Sequence, residues 1–286
     1  MQALWGAIVT GTLYGLVGVG FVLIFRASKV LSFAQGAFML LGAFIFYQLV
    51  KFNGLPFVPA VLLTALIVAA FSGLVYLVVF SRVAARQPFA TSIATIGLAG
   101  VLQAIVAVQF GTTPLALPPV VPSRSFTVAG ATITVEDLVS VALVVIALAI
   151  ILLLMRTRLG LQMNAVADSA SLSVHLGVSA ARVATIAWAL AGLAAALAGI
   201  AFALRSSVDP VGVAAIGFFA FPAIILGGLD SIPGALVGGL ILGALQNGVA
   251  VWLGAGWVDL ISFSLMLVFL LFKPTGLFGK AEVVRL

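Results

Sequence analysis

Long stretches without a charged residue constrain this chain more than any other feature of its sequence. A helix needs about 20 mostly apolar residues to cross a hydrocarbon layer roughly 30 Å thick. Most of the charge-free stretches reach that length, and the charged residues separate one from the next. The stretches are 1–25, 30–50, 52–81, 87–123, 138–155, 183–204, 210–229, 231–258 and 260–272. We therefore expect a chain that crosses a membrane many times.

The composition supports the same conclusion and excludes several kinds of chemistry. Apolar residues make up 64% of the 286 residues and charged residues only 7%, against about 25% charged residues in soluble domains. The ten-residue alternation that marks transmembrane strands does not occur. The chain has no cysteine, which rules out disulfides and thiolate chemistry. We predict an all-α fold, a polytopic helical membrane protein.

The cations at the ends of the apolar stretches predict the topology. If the N-terminus lies outside the cytoplasm, only Lys51, Arg124 and Arg205 of the 13 lysines and arginines lie outside, and the other ten face the cytoplasm. This bias of Lys and Arg toward cytoplasmic loops sets the orientation of membrane proteins. We expect about eight or nine transmembrane helices, with the N-terminus outside and the C-terminus inside. The short stretches near 212–229 and 257–272 are candidates for broken or re-entrant helices.

Two connecting segments have distinct patterns. The outer loop, 111–136, carries prolines that forbid regular helix over part of it, and Thr134 and Asp137 match a capping box at the start of the next helix. The cytoplasmic loop, about 160–180, is less apolar and predicts a short amphipathic helix capped by Gly177. The apolar residues at helical spacing in this loop are Leu161, Ala165, Leu172 and Leu176.

The sequence contains no motif for catalysis or nucleotide binding. Gly279-Lys280-Ala281 is the nearest approach to a phosphate-binding loop, but the upstream glycine spacing and the Ser or Thr are missing. His175 is the only histidine, and no acid has a second carboxylate at helical spacing. Each charge can be placed at the end of a span, unlike the buried relays of proton-coupled transporters. We expect no enzyme activity, no cofactor or metal, and no nucleic-acid partner.

A few amides lie within the apolar stretches and are costly to leave facing lipid. They are expected to face the interior of the bundle, either in hydrogen bonds between helices or as the lining of a pore. The amides are Gln35, Gln103, Gln246 and Asn247. For Gln35 both interpretations stay open.

Four groups of residues resemble one protein family. Residues 26–43, RASKVLSFAQGAFMLLGA, resemble the signature after the first helix of LivH-type permeases of branched-chain amino acid ABC importers. Residues 165–199, with AVAD, LGVSAARV and AGLAAALAG, are similar to that family's cytoplasmic coupling loop and the helix after it. Residues 227–239 resemble its glycine-rich segment and residues 273–279 its C-terminal ending. The segments occur in the family's order and span the chain.

The resemblance implies a function and a set of partners. A single transmembrane permease domain, 1–286, would pass branched-chain or related amino acids across a bacterial cytoplasmic (inner) membrane. Two separate ATP-binding subunits would bind the ATP, and an extracytoplasmic substrate-binding protein would deliver the small-molecule substrate. A related second permease, or a second copy of this chain, would complete the pore. The alternatives are the same importer class for urea, short amides or a sugar, and an ATP-independent secondary transporter or channel.

Two sets of candidate site residues follow. Non-helical backbone is tolerated inside a membrane only against protein or water, and the N-terminus of a half-helix suits a substrate carboxylate. The residues predicted for the substrate pathway are Ser32, Gln35, Gly36, Gly227, Gly228, Ser231 and Gly234. Tight helix packing with a turn at Pro233 is the alternative for the last four. The residues predicted for ATPase coupling are Asn164, Asp168, Leu172, His175, Leu176 and Gly177.

Overall fold

Long apolar helices make up almost all of the structure. A computed structural model of the chain describes residues 1–84, 87–128 and 130–279. Within these residues eight helices are long and apolar enough to cross a membrane, and one further apolar helix, Gln35–Lys51, is shorter. The predicted all-α membrane fold with eight or nine spans is confirmed. The two stretches expected to be short lie in helical segments of 18 residues, Pro210–Gly227 and Ala255–Phe272. The second segment begins with a 3-10 turn, Ala255–Trp257, and continues as an α-helix.

The elements follow one another in a simple order. The helices are α1 (Gln2–Ser28), α2 (Gln35–Lys51), α3 (Phe57–Val75), α4 (Ser81–Ala84), α5 (Pro88–Phe110), α6 (Val135–Met155), α7 (Arg158–Asp168), α8 (Ala170–His175), α9 (Ala180–Ala203), α10 (Pro210–Gly227), α11 (Ile232–Trp252) and α12 (Val258–Phe272). A π-helical turn, Tyr76–Phe80, joins α3 to α4 without a break in direction. Two strands, β1 (Ser125–Val128) and β2 (Ala131–Thr134), form an antiparallel hairpin between α5 and α6.

The bundle has two ends, and α1 runs from one to the other. At its start the Gln2 side chain exchanges two hydrogen bonds with the backbone of Thr132 in β2, so we call this end the hairpin face. At its end the Arg26 guanidinium donates a hydrogen bond to Asn164 in α7, so we call that end the helix-pair face, after α7 and α8. The spans alternate in direction between these two faces.

The cations separate between the two faces as the sequence predicts. Lys51, Arg124 and Arg205 lie on the hairpin face. The described cations of the helix-pair face are Arg26, Lys29, Arg82, Arg156, Arg158, Arg182 and Lys273. Arg86, Lys280 and Arg285 lie outside the described residues. The N-terminus and the segment 273–279 thus lie on opposite faces, and the assignment of the helix-pair face to the cytoplasm stays a prediction.

Small residues bring the central helices into backbone contact. Gly42 of α2 lies against Ala196 of α9, and Gly199 of α9 lies against Met39 of α2, so that an added side chain at either glycine would meet the backbone of the neighbour. Most of the alanines of α9 are fully buried. Such residues let helices approach closely where lipid gives no hydrophobic driving force between them. The centre of the bundle is therefore filled by protein.

The peripheral helix α12 is attached to this centre by buried polar groups. The Tyr14 hydroxyl of α1 donates to Gln246 Oε1 of α11 at 2.7 Å. The Gln246 amide in turn donates to Ser262 Oγ of α12 at 3.1 Å. Gln246 thus connects helices, which confirms one of the two roles expected for it.

The loop 111–136 is partly as predicted. Its proline-rich part has no helix among the described residues, and Thr134 and Asp137 form the predicted capping box at the start of α6. The β-hairpin within the loop was not predicted. Asp137 also accepts hydrogen bonds from Arg205, which follows the end of α9, and from the Trp5 indole of α1, so the start of α6 is tied to α1 and to the chain after α9.

Candidate functional site

The second crossing is broken in the middle of the bundle. The second charge-free stretch begins at residue 30, but its helix begins only at Gln35. α1 ends at Ser28, and Lys29 adopts a left-handed conformation with φ of 55°. Gln35 contacts Ala191, which lies near the midpoint of α9. Residues 29–34 thus lead from the helix-pair face to the centre of the bundle as non-helical chain, and α2 continues from there to the hairpin face.

Two hydroxyl groups of α5 accept hydrogen bonds from this non-helical segment. Ser92 Oγ accepts a hydrogen bond from the Leu31 backbone N–H at 3.0 Å, and Thr95 Oγ1 accepts one from the Phe33 N–H at 2.9 Å. The same hydroxyls donate to carbonyls of their own helix. Unpaired backbone groups cost several kcal/mol in a membrane interior, and these bonds remove that cost at two positions.

The predicted pathway residues of this segment are buried and only partly satisfied. Ser32 and Gln35 are fully buried, and neither Ser32 Oγ nor Gln35 Oε1 has a hydrogen-bond partner among the described residues. The Gln35 amide donates to the Ala191 carbonyl at 3.0 Å, which confirms a role between helices; its role as pore lining stays a prediction. Gly36 lies against Gly217 of α10. Unsatisfied polar atoms are uncommon in protein interiors and mark this break as unusual.

The second predicted pathway group lies elsewhere, at the helix-pair end of α10. α10 ends at Gly227 and α11 begins at Ile232, and the backbones of Gly227 and Gly234 are in contact. Gly217, which contacts Gly36, precedes Gly227 by ten residues, or about 15 Å along a helix. The structure therefore does not bring the two predicted groups together. The glycine contacts have the geometry of tight helix packing, and the pathway role of this group stays a prediction.

The end of α10 is also capped by the C-terminal segment. The Leu277 and Phe278 N–H groups donate to the carbonyls of Leu226 and Gly227 at 2.8 and 2.9 Å. Gly276 lies against Gly228. Ser231 caps α11 by accepting a hydrogen bond from the Gly234 N–H. Of the seven residues predicted for the pathway, the four in 227–234 thus form a compact turn beneath the residues 273–279.

The loop 160–180, predicted to be cytoplasmic, forms two helices instead of the single predicted one. α7 ends at Asp168, and Ser169 is extended and caps α8. α8 ends in the predicted glycine cap: Gly177 has φ of 77°, and the N–H groups of Gly177 and Val178 donate to the carbonyls of Val174 and Ser173. This pair of bonds is a Schellman motif.

The apolar face expected for this loop is not buried within the chain. Leu161, Leu172 and Leu176 are 68%, 65% and 76% exposed, whereas Met163 and Val166 are the apolar residues of α7 that pack inward. The other predicted coupling residues, Asn164, Asp168, His175 and Gly177, are also exposed. All six predicted coupling residues are therefore accessible on the helix-pair face, although the structure does not test their role.

Across 1–84, 87–128 and 130–279, no group of three or more His, Cys, Asp or Glu side chains is placed to hold a metal ion.

Sequence reasoning missed Ser92 and Thr95 as part of the site. Their hydroxyls could be noted in the sequence, but their acceptance of bonds from residues 31 and 33 depends on how α5 packs.

A broken crossing, a bundle of long apolar helices and an exposed helix pair define a multi-pass α-helical membrane protein of the transport class. The chain belongs to the family described as the permease component of the branched-chain amino acid transport system, whose model matches residues 4–271. This confirms the family indicated by the resemblance to LivH-type permeases.

Curated relatives match over the whole chain. The high-affinity branched-chain amino acid transport system permease protein BraD of Pseudomonas aeruginosa is 27% identical, with 100% of this chain and 97% of BraD covered. The corresponding permease LivH of Escherichia coli K12 is 25% identical at the same coverage. A probable branched-chain amino acid transport permease LivH of Methanocaldococcus jannaschii is 27% identical over 96% of this chain and 91% of the relative.

A solved structure shares the fold. PsaBC from Streptococcus pneumoniae in complex with Fab matches with a TM-score of 0.51 and 14% identity, over 97% of this chain and 94% of that chain. At this identity the likeness concerns the fold alone.

Proposed function

We propose that this chain is the single transmembrane permease domain of an ABC importer that passes branched-chain amino acids across a bacterial cytoplasmic membrane. Its membership of the permease family supports the class of cargo. The observation that carries the mechanism is the break at residues 29–34: non-helical backbone at membrane depth is tolerated only against protein or water, and discontinuous helices of this kind form substrate sites in transporters. The chain supplies the path and performs no catalysis of its own.

The pathway runs along the surface of the chain, against a second permease. The centre of the bundle is filled by close contacts such as Gly42 with Ala196, which leaves no room for a substrate between α2 and α9. A related permease or a second copy of this chain provides the opposite wall. The helix-pair face lies in the cytoplasm and the hairpin face outside, as the distribution of cations supports.

Two ATP-binding subunits bind the ATP and contact the helix pair. Leu161, Leu172 and Leu176 are exposed leucines at an aqueous face, and clustered exposed apolar residues mark protein interaction sites. A binding protein outside delivers the substrate to the hairpin face. ATP-driven movement of the helix pair reaches α1 through the hydrogen bond between Arg26 and Asn164.

Uptake of radiolabelled leucine into proteoliposomes tests the proposal. The vesicles contain the ATPases, the partner permease and this chain, with the binding protein on the side of the hairpin face, and the control vesicles lack only this chain. We expect ATP-dependent uptake only in the complete system. Uptake of urea, a short amide or a sugar in place of leucine would show that only the proposed cargo is wrong. Transport by this chain alone without ATP would contradict the mechanism.

A further inference from the structure

α2 has one open side, although it is packed into the centre of the bundle. Between α2 and α5, in the half of the bundle toward the hairpin face, lies a groove of about 530 Å³. This volume is within the range of about 300 to 1,000 Å³ typical of small-molecule sites. Its walls are apolar, with Phe44 and Leu41 on α2 and Ile105 on α5. We call it the α2–α5 groove.

The groove contains two amides without partners. Gln48 of α2 and Gln109 of α5 both line it, and neither side chain has a hydrogen-bond partner among the described residues. The other amides of the spans have partners: Gln35 and Gln103 donate to carbonyls of neighbouring helices, Gln246 donates to Ser262 Oγ, and Asn247 donates to the Gly243 carbonyl of its own helix. A free carboxamide is costly against lipid and can both donate and accept hydrogen bonds. Gln48 and Gln109 are thus available to a ligand.

A cation lies at the mouth of the groove. The Lys51 Nζ donates to the Tyr47 hydroxyl at 2.6 Å and lies 5.9 Å from the centre of the Phe52 ring, which lines the groove. An ammonium group there favours the approach of a carboxylate. An apolar wall, two carboxamides and a nearby cation together match a zwitterionic amino acid with an apolar side chain.

The groove lies on the same helix as the broken crossing. Of the α2 residues that line the groove, Leu41 is nearest to Gln35, six residues away, or about 9 Å along the helix. The unpartnered oxygens of Ser32 and Gln35 lie at that break. A substrate in the groove therefore lies within about two helical turns of the break, although the buried Ser32 and Gln35 do not themselves line the groove.

We infer that the α2–α5 groove is the outer half of the substrate pathway and that Gln48 and Gln109 bind the ammonium and carboxylate groups of a branched-chain amino acid in transit. This inference rests on the proposed function and adds the binding residues to it.

Cysteine labelling tests whether the groove is aqueous and carries substrate. The chain has no cysteine of its own, so Ile105→Cys in the groove and Val108→Cys on the same helix are matched probes. Val108 is 86% exposed and does not line the groove. In the complete importer we expect a charged, membrane-impermeant thiol reagent to modify Ile105→Cys and leave Val108→Cys unmodified. Leucine-loaded binding protein with ATP should slow the modification severalfold.

The outcomes separate this inference from the proposed function. If Ile105→Cys reacts only with a lipid-soluble maleimide, lipid fills the groove and the inference is wrong. If Ile105→Cys reacts but leucine gives no protection while wild-type uptake is normal, the groove is not the pathway. Absence of leucine uptake by the wild-type complex would instead overturn the proposed function.

A substitution series tests the two amides. The double variant Gln48→Leu with Gln109→Leu should lower leucine uptake per ATP hydrolysed by about five- to thirtyfold, the effect of one or two lost hydrogen bonds. Gln48→Asn with Gln109→Asn keeps the carboxamides and should retain most of the uptake. Equal uptake by the wild type and the leucine variant would overturn the assignment of these residues.

Discussion

At the scale of single residues, two hydroxyl groups decide how the broken crossing is held. Ser92 and Thr95 accept the N–H groups of Leu31 and Phe33 and donate to carbonyls of their own helix. Both hydroxyls are thereby used as donor and acceptor. A movement of α5 must displace residues 31–33 or break these bonds, so the two side chains position the segment on the proposed pathway.

Removal of both acceptors should uncouple transport from ATP hydrolysis. In Ser92→Ala with Thr95→Val two buried N–H groups lose their partners, at about 1–3 kcal/mol each. We expect lower leucine uptake per ATP in proteoliposomes. Thr91→Val is the matched control, because the Thr91 hydroxyl is also buried but donates only to the carbonyl of Gln87, the residue just before its own helix. Thr95→Ser, used in place of Thr95→Val, keeps the hydroxyl and should retain coupling. Equal loss in the Thr91 variant would contradict a specific role of Ser92 and Thr95.

At the scale of elements, the loop 160–180 forms a helix pair whose end depends on one glycine. Gly177 has positive φ in the Schellman motif, and nothing lies within 4 Å of a side chain placed there. Backbone strain, not a clash, therefore sets the cost of substitution. Loss of this cap would change the end of α8, where the exposed Leu176 lies.

Gly177→Ala should weaken coupling to the ATPases. A residue other than glycine in this conformation costs about 1–2 kcal/mol, enough to shift the end of α8. We expect reduced stimulation of ATP hydrolysis by loaded binding protein and reduced uptake. Gly54→Ala is matched in local strain, since Gly54 also has positive φ and open surroundings, but it lies on the hairpin face. If both variants behave alike, general instability and not coupling explains the effect.

At the scale of the whole molecule, the two faces differ in charge and in structure. Of the described cations, Lys51, Arg124 and Arg205 lie on the hairpin face and the rest on the helix-pair face. Positive charge is retained on the cytoplasmic side of membranes. The orientation is therefore a property of the whole set of loops and not of one segment.

Impermeant thiol labelling of intact cells should show the hairpin face outside. Gly54→Cys lies between α2 and α3 on the hairpin face, and Leu172→Cys lies in α8. We expect reaction of Gly54→Cys in intact cells and of Leu172→Cys only after the membrane is permeabilised. The reverse pattern would invert the topology and move the proposed ATPase contact to the other face.

Much of this architecture could be predicted from the sequence, and the failures have a common origin. The helical spans, the relative faces of the loops, the capping box at Thr134 and the glycine cap at Gly177 were predicted correctly. The start of α2 at Gln35, the division of the cytoplasmic loop at Ser169 and the β-hairpin were not. The predicted pathway residues fall into two separate groups, since Gly36 contacts Gly217 and not Gly227.

The sequence alone determined that the chain crosses a membrane repeatedly, which loops share a face and to which family it belongs. These properties depend on the hydrophobicity, charge and order of residues along the chain, and each can be evaluated locally. Only the tertiary structure decided where α2 begins, because residues 31 and 33 can remain non-helical only where α5 places Ser92 and Thr95 beside them. The α2–α5 groove likewise exists only because two helices distant in sequence lie side by side, and packing of that kind leaves no local pattern in the sequence.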